Sequence, residues 1–258
     1  MGVERTTGEG REVDYGNWVS WRIILVPLAA GIVFLALFVL FWPILILAIL
    51  LLAASAYFAY ARNSFSPKGG DVQRKIRQLV LDHLDWSGEG RALDIGCGNG
   101  ALTIMCAKTY KNAAITGIDY WGKNWEYSRE ACERNSEIEG VRNRVAFQKA
   151  SASSLPFENE AFDAVVSNLT FHEVRDAKDK TEVVKEALRV LRKGGSFSFQ
   201  DLFLLGRTYG DMEDLLAKIK AWGVTEVEFF ETRDSEFIPS PLKLPFMVGT
   251  MGVIAGKK

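Results

Sequence analysis

Asp94, Gly96, Gly98 and Gly100 stand together in "LDIGCGNGA", between an alternating apolar run and a helical pattern. Glycines at every second position are too many for a strand interior. They suit a strand-to-helix turn in which the backbone approaches a ligand closely, with Cys97 inside that turn. The same letters satisfy the dinucleotide fingerprint, with Gly96, Gly98 and then Ala101 in the third place, so the turn alone leaves the cofactor open. A carboxylate at Asp94 adds little to a dinucleotide site but would pair with a cationic ammonium. Asp119, in "GIDYW", ends the next apolar run 23 positions after Gly96. It can accept both hydroxyls of a ribose, a role shared by nicotinamide and S-adenosyl cofactors. Asp119 also suits a helix N-cap, and Asp94 suits local capping of backbone amides.

These residues need elements to hold them. From Arg91 onward, short apolar runs alternate with helical patterns. "RALDIG", "AAITGID", "RVAFQKA", "FDAVVSN", "SFSFQDLF", "TEVEFFE" and "FMVGTMGVIAG" read as strands. "ALTIMCAKTY", "GKNWEYSREACERNSEI", "KTEVVKEALRVLRK" (stopped by Gly194-Gly195) and "GDMEDLLAKIKAW" read as helices. Such alternation predicts an α/β, doubly wound, Rossmann-like parallel sheet with helices on both faces, and a ligand beyond the carboxyl ends of the strands.

Composition removes other classes. The 258 residues carry 31 basic and 32 acidic side chains, a net charge of −1, so no field draws nucleic acid. Cys97, Cys106 and Cys132 have no CxxC spacing and there are two histidines, His83 and His172, which argues against a metal site. Reduced thiols in a cytosol-facing domain are the expectation.

In order along the chain, "LDIGCGNG", "GIDYW", "KASASSLPFENEAFDAVVSN" and "ALRVLRKGG" resemble the class I S-adenosylmethionine-dependent methyltransferases. Among these the resemblance is to the methyltransferase-11 type that includes the ubiquinone/menaquinone C-methyltransferases. It covers about 71–258 and implies a seven-strand sheet whose last strand, "FMVGTMGVIAG", is antiparallel. It implies S-adenosylmethionine held by Asp94, Gly96, Cys97, Gly98 and Gly100, with Asp119 and Tyr120 at the ribose. Tyr120 and Trp121 suit either stacking on adenine or core packing. Asn168 would face the cofactor or the acceptor. Family members often carry Asp at the turn where this chain has Ser151-Ala152-Ser153, so a serine hydroxyl or backbone group would have to meet the adenine amine.

Ahead of that domain, no charged residue occurs between Arg22 and Arg62. As one helix, 23–60 would run roughly 57 Å, against a hydrocarbon core of about 30 Å. Trp42-Pro43 interrupts it midway, and Trp18, Trp21, Tyr57 and Tyr60 mark its two ends. The expected organisation is a tail (1–22), a transmembrane helical hairpin (23–61), a linker (62–70) and the catalytic domain (71–258). One long tilted helix, or a hairpin that half-enters the bilayer, fits the same letters. Arg62, Lys68, Arg74, Lys75 and Arg77 after the hairpin favour a cytoplasmic catalytic domain.

The tether points to membrane lipids as partners and to a lipophilic small-molecule acceptor, a quinone precursor or lipid. A membrane protein as acceptor, or a non-catalytic sensor or assembly subunit that binds the cofactor, are the alternatives; oligomeric state is not legible. An oxygen or carbon acceptor needs a proton removed, and the two weak candidates are His172, which could serve at neutral pH, and Asp201. A structural role bonded to the loop backbone is the competing reading for His172.

Overall fold

A computed structural model describes residues 12–122 and 127–258, and the chain divides into two compact units. One comprises 17–79 and 231–251; the other comprises the remaining described residues.

The first unit is built on two apolar helices, α1 (Trp21–Leu37) and α2 (Ile44–Phe65), charged only at Arg22 and Arg62 and joined by a turn that contains Trp42-Pro43. The Ser55 hydroxyl donates to the Ile24 carbonyl at 2.9 Å. A Cβ on Gly31 would lie 2.9 Å from the Leu52 side chain. These pairings run the two helices antiparallel, with a small residue permitting their close approach. At 22 residues, α2 is the one described helix long and apolar enough to cross a membrane. With 17 residues, α1 falls short of the roughly 20 a span needs. A third helix, α3 (Val72–Asp82), leads out of this unit. Segment 231–251, read from sequence as part of the catalytic domain, falls in this unit too; the Tyr57 hydroxyl donates to the Pro241 carbonyl at 2.8 Å.

The second unit alternates strand and helix. Its elements are β1 (Glu89–Ile95), α4 (Ala101–Thr109), β2 (Asn112–Asp119), α5 (Arg129–Ile138), β3 (Val145–Lys149), β4 (Phe162–Asn168) and α6 (Lys180–Arg189). β5 (Leu191–Asp201), α7 (Gly206–Tyr209), α8 (Met212–Ala221), β6 (Glu226–Glu231) and β7 (Gly252–Lys257) complete it. The sheet order is β3-β2-β1-β4-β5-β7-β6. β1 to β5 pair in parallel and β7 is antiparallel to β5. Apolar clusters fill both faces, one around Phe162, Phe197, Phe199 and Leu188, the other around Ile104, Ile115, Cys106 and Phe147. The order reverses between β1 and β4, so the open crevice of such a sheet lies beyond the ends of those two strands.

Three boundaries depart from the sequence reading. The helix expected to run to Gly194-Gly195 ends at Arg189, and β5 starts at Leu191. Fully buried Leu191 pairs with Phe162 in the ladder, which strand pairing can supply and a continued helix cannot. The last strand begins at Gly252, because Gly249 closes a turn by donating to the Leu244 carbonyl at 3.0 Å. The helix expected from Gly122 starts at Arg129, where the Ser128 hydroxyl caps it by accepting from the Ala131 amide at 3.1 Å; 123–126 lie outside the described residues.

Candidate cofactor and active site

β1 ends at Ile95 and the chain enters the glycine turn. The Gly96 and Cys97 amides both donate to the Ile118 carbonyl of β2, at 2.8 and 2.9 Å. Gly96 has φ +77°, and a Cβ there would lie 1.9 Å from Thr170 Oγ1. That hydroxyl donates to the Ile95 carbonyl at 3.0 Å, locking the loop after β4 onto the turn. Gly96→Ala is therefore expected to cost about 1–2 kcal/mol from the left-handed backbone alone, plus the displacement of Thr170. A lowered denaturation midpoint would register it; an unchanged one would contradict this geometry. A Cβ on Gly98 would be in ordinary van der Waals contact with the Tyr127 ring, at 3.7 Å.

Asp119, the last residue of β2, sits across this turn. Its Oδ2 accepts from the Gly98 amide at 2.9 Å and its Oδ1 from the Trp121 amide at 2.8 Å. Burial pushes the carboxyl above its ordinary range, while the amides of Trp121, Gly98 and Tyr120 pull the other way. Trp121 has φ +43° and its indole N–H donates to the Gly98 carbonyl at 2.9 Å. Of the two aromatic residues, Trp121 packs on the core while Tyr120 is 66% exposed with Lys149 over its ring.

Asp94 lies within the sheet, 1% exposed, and its Oδ2 accepts from Thr103 of α4 at 2.6 Å. Cys97 is buried, and burial, with Cys132 beside it, raises its thiol well above the usual range. Cys132 Sγ lies 3.0 Å from the Gly98 carbonyl. All three cysteines are free. Ala152 is buried in the turn after β3. The carboxylate that the turn itself lacks comes from elsewhere: Ser151 and Ser153 hydroxyls donate to Asp176 Oδ2 at 2.9 and 2.6 Å. These hydroxyls hold Asp176 below the usual carboxylate range.

At the end of β4, Asn168 Oδ1 is buried with no hydrogen-bond partner among the described residues. The next residue, Leu169, has φ +56°. Backbone in this region is uncommon for a branched side chain and concentrates where a site demands it.

His172 and Asp201, far apart in sequence, meet. His172 Nδ1 lies 2.6 Å from Asp201 Oδ1, and Nε2 lies 3.4 Å from Glu173 Oε1. Fully buried Asp201 also accepts from the amides of Phe171 (Oδ2, 2.8 Å) and Leu202 (Oδ1, 2.7 Å). Burial alone would lower the imidazole, but Asp201 and Glu173 overcome it and push His172 up to about 9. With the ring pushed up to about 9, it is mostly protonated at neutral pH. Asp176, Thr103 and Thr170 took no part in the site as read from sequence. The serine pair in "SASS" was the one available signal, since it needed an acceptor.

Residues 93–199 match a family model described as a methyltransferase domain. The chain is similar to the ubiquinone/menaquinone biosynthesis C-methyltransferase UbiE of Geotalea daltonii, 28% identical over 125 residues, which are 48% of this chain and 50% of that protein. Among solved structures it is similar to the [4+2]-cyclase SpnF, with TM-score 0.54 and 21% identity over 72% of this chain and 80% of that one. It is also similar to the geranyl diphosphate C-methyltransferase of Streptomyces coelicolor A3(2), in complex with S-adenosyl-L-homocysteine. There the TM-score is 0.56 at 14% identity, covering 72% and 79% of the two chains. At such identities the structural likeness shows the fold alone, and the chain spans about half the length of the curated relatives it matches. Residues 93–199 thus match a methyltransferase domain, and the sheet unit has the fold that the solved methyltransferase structures share.

Proposed function

We propose that the protein is a membrane-held methyltransferase that passes the methyl group of S-adenosylmethionine to a lipophilic small molecule, a quinone precursor or a lipid. In this reading 23–61 anchor the chain as a helical hairpin, 62–70 link it, and 71–258, apart from the excursion 231–251, carry the catalytic unit on the cytoplasmic side. The convergence of the glycine turn, Asp119 and the orphaned Asn168 oxygen at one sheet edge carries the catalytic part. Apolar α2, with Trp42 73% exposed at one end, supports the anchor. The named function of the Geotalea relative, in quinone biosynthesis, is of the same acceptor class.

The residues present fit the cofactor. Asn168 Oδ1 can accept from an ammonium, and Asp119 would accept from a ribose diol. Asp176, fixed by two serine hydroxyls at Oδ2, would meet the adenine amine. When bound, the cofactor supplies an already activated methyl group on a sulfonium. The protein's part is then alignment, exclusion of water and proton removal from the acceptor.

His172 is the proposed base, with Asp201 as its positioning residue. The base works neutral, and at pH 7 a group titrating at about 9 is neutral in roughly one molecule in a hundred. Transfer to an oxygen acceptor should therefore rise about tenfold per pH unit and level off above about 9; a profile flat from pH 6 to 10 would remove His172 from the chemistry. The raised value also has a stability sign. The protonated pair supports the fold fully below about 6.5, and that support is lost as pH rises through about 9.

The test is to incubate full-length protein with native membranes and methyl-labelled S-adenosylmethionine, then separate organic, protein and aqueous fractions. Label in the organic phase is the expected outcome. Label on protein would replace the lipophilic acceptor with a membrane protein, and no label with cofactor binding intact would point to a sensor.

A further inference from the structure

Between β6 and β7 the chain makes a long excursion, 231–251, that belongs to one unit with α1 and α2 and packs on α2. Its own fold is pinned. Ile238, Leu242 and Val248 are buried, the Val248 amide donates to the Leu242 carbonyl at 3.1 Å, and Met247 and Gly249 both donate to the Leu244 carbonyl. What the pinned loop presents outward is apolar: Leu244, Pro245 and Phe246, the last 65% exposed. Single exposed apolar residues are ordinary, but a rigid tip with three in a row is a contact surface.

The position of this tip along α2 says what it meets. The Phe246 ring packs edge-on against Tyr57 at 5.8 Å, and Tyr57 also donates to the Pro241 carbonyl. Tyr57 belongs to an aromatic and basic band at the end of α2. In that band Tyr60 is exposed, the Arg62 guanidinium lies 4.4 Å over the Trp21 ring, and Trp18 packs against Phe65. The opposite end carries exposed Phe41 and Trp42. From Trp42 to Tyr60 a helix rises about 27 Å, close to the roughly 30 Å of a hydrocarbon core. Aromatic side chains at both ends of that span, with cations at the Tyr60 end, mark the two headgroup levels of a bilayer.

We propose that the tip Leu244-Pro245-Phe246 is a second, sequence-remote membrane contact that inserts at the headgroup level beside the end of α2. Half-buried Lys243 supplies a cation next to it. This rests on the membrane reading of α2, and its test separates the two. Cysteines placed singly at Phe246, Leu244, Ile49 (exposed on α2) and Glu158 (exposed on the sheet unit) would carry an environment-sensitive fluorophore; the native cysteines are buried. The full chain is reconstituted in phosphatidylcholine/phosphatidylglycerol vesicles, with lipids bearing a nitroxide quencher near the headgroup or deep in the acyl chain.

The expected result is several-fold stronger quenching at Phe246 and Leu244 than at Glu158, greater with the shallow quencher, while Ile49 responds to the deep one. Quenching at Ile49 with Phe246 and Leu244 behaving like Glu158 would overturn the tip and leave the anchor standing. No quenching at Ile49 would overturn both. A Phe246 label that is shielded, unquenched by lipid and sensitive to protein dilution would assign the tip to a second copy of the chain instead.

Discussion

Replacing His172 by Gln should lower methyl transfer about 10²–10⁴-fold at pH 9, where half of the wild-type rings are neutral, and leave cofactor affinity unchanged. The loss is confined to turnover because the imidazole does not contact the glycine turn or Asp119; its partners are Asp201 and Glu173. Asp201→Asn separates a positioning role from a structural one. The amide still accepts from the Phe171 or Leu202 backbone but no longer supplies the charge that raises the ring. The apparent pKa of the rate profile should then fall from about 9 toward the ordinary histidine value. A base acting elsewhere would leave that profile where it is in both variants.

The second large effect is on binding. Asp119→Ala is expected to weaken S-adenosylmethionine binding about 100-fold, as for loss of a charged acceptor to a diol whose hydrogen bonds are each worth roughly 1.5–3 kcal/mol. The substitution also frees the Gly98 and Trp121 amides that the carboxylate holds. Equilibrium dialysis on the full chain reads the loss directly. An affinity within twofold of wild type would place the ribose away from β2.

Where the letters carried the structure, the reason is local. β4 was legible residue for residue as "FDAVVSN", since a branched apolar run bounded by polar turns has one good use in a buried parallel sheet. The glycine turn was legible because its spacing suits almost nothing but a strand-to-helix turn. What stayed hidden depends on distance through space. The raised His172 needs Asp201, 29 residues away, and the acidic group at the serine turn is Asp176, 25 residues from Ser151. "LRKGG" reads as a helix stop, yet Leu191 answers to its ladder partner Phe162 rather than to the glycines. Segment 231–251 looked like part of the catalytic domain by sequence order, whereas Tyr57 holds it with α2. The antiparallel last strand came from the family resemblance, not from its own composition.

The most direct measurement is calorimetric titration of the full chain with S-adenosylmethionine, followed by the same titration with NAD. The account predicts saturable one-to-one binding of S-adenosylmethionine, strongly weakened in Asp119→Ala, and no heat with NAD. Binding of NAD in its place, or S-adenosylmethionine binding that Asp119→Ala leaves intact, would contradict it.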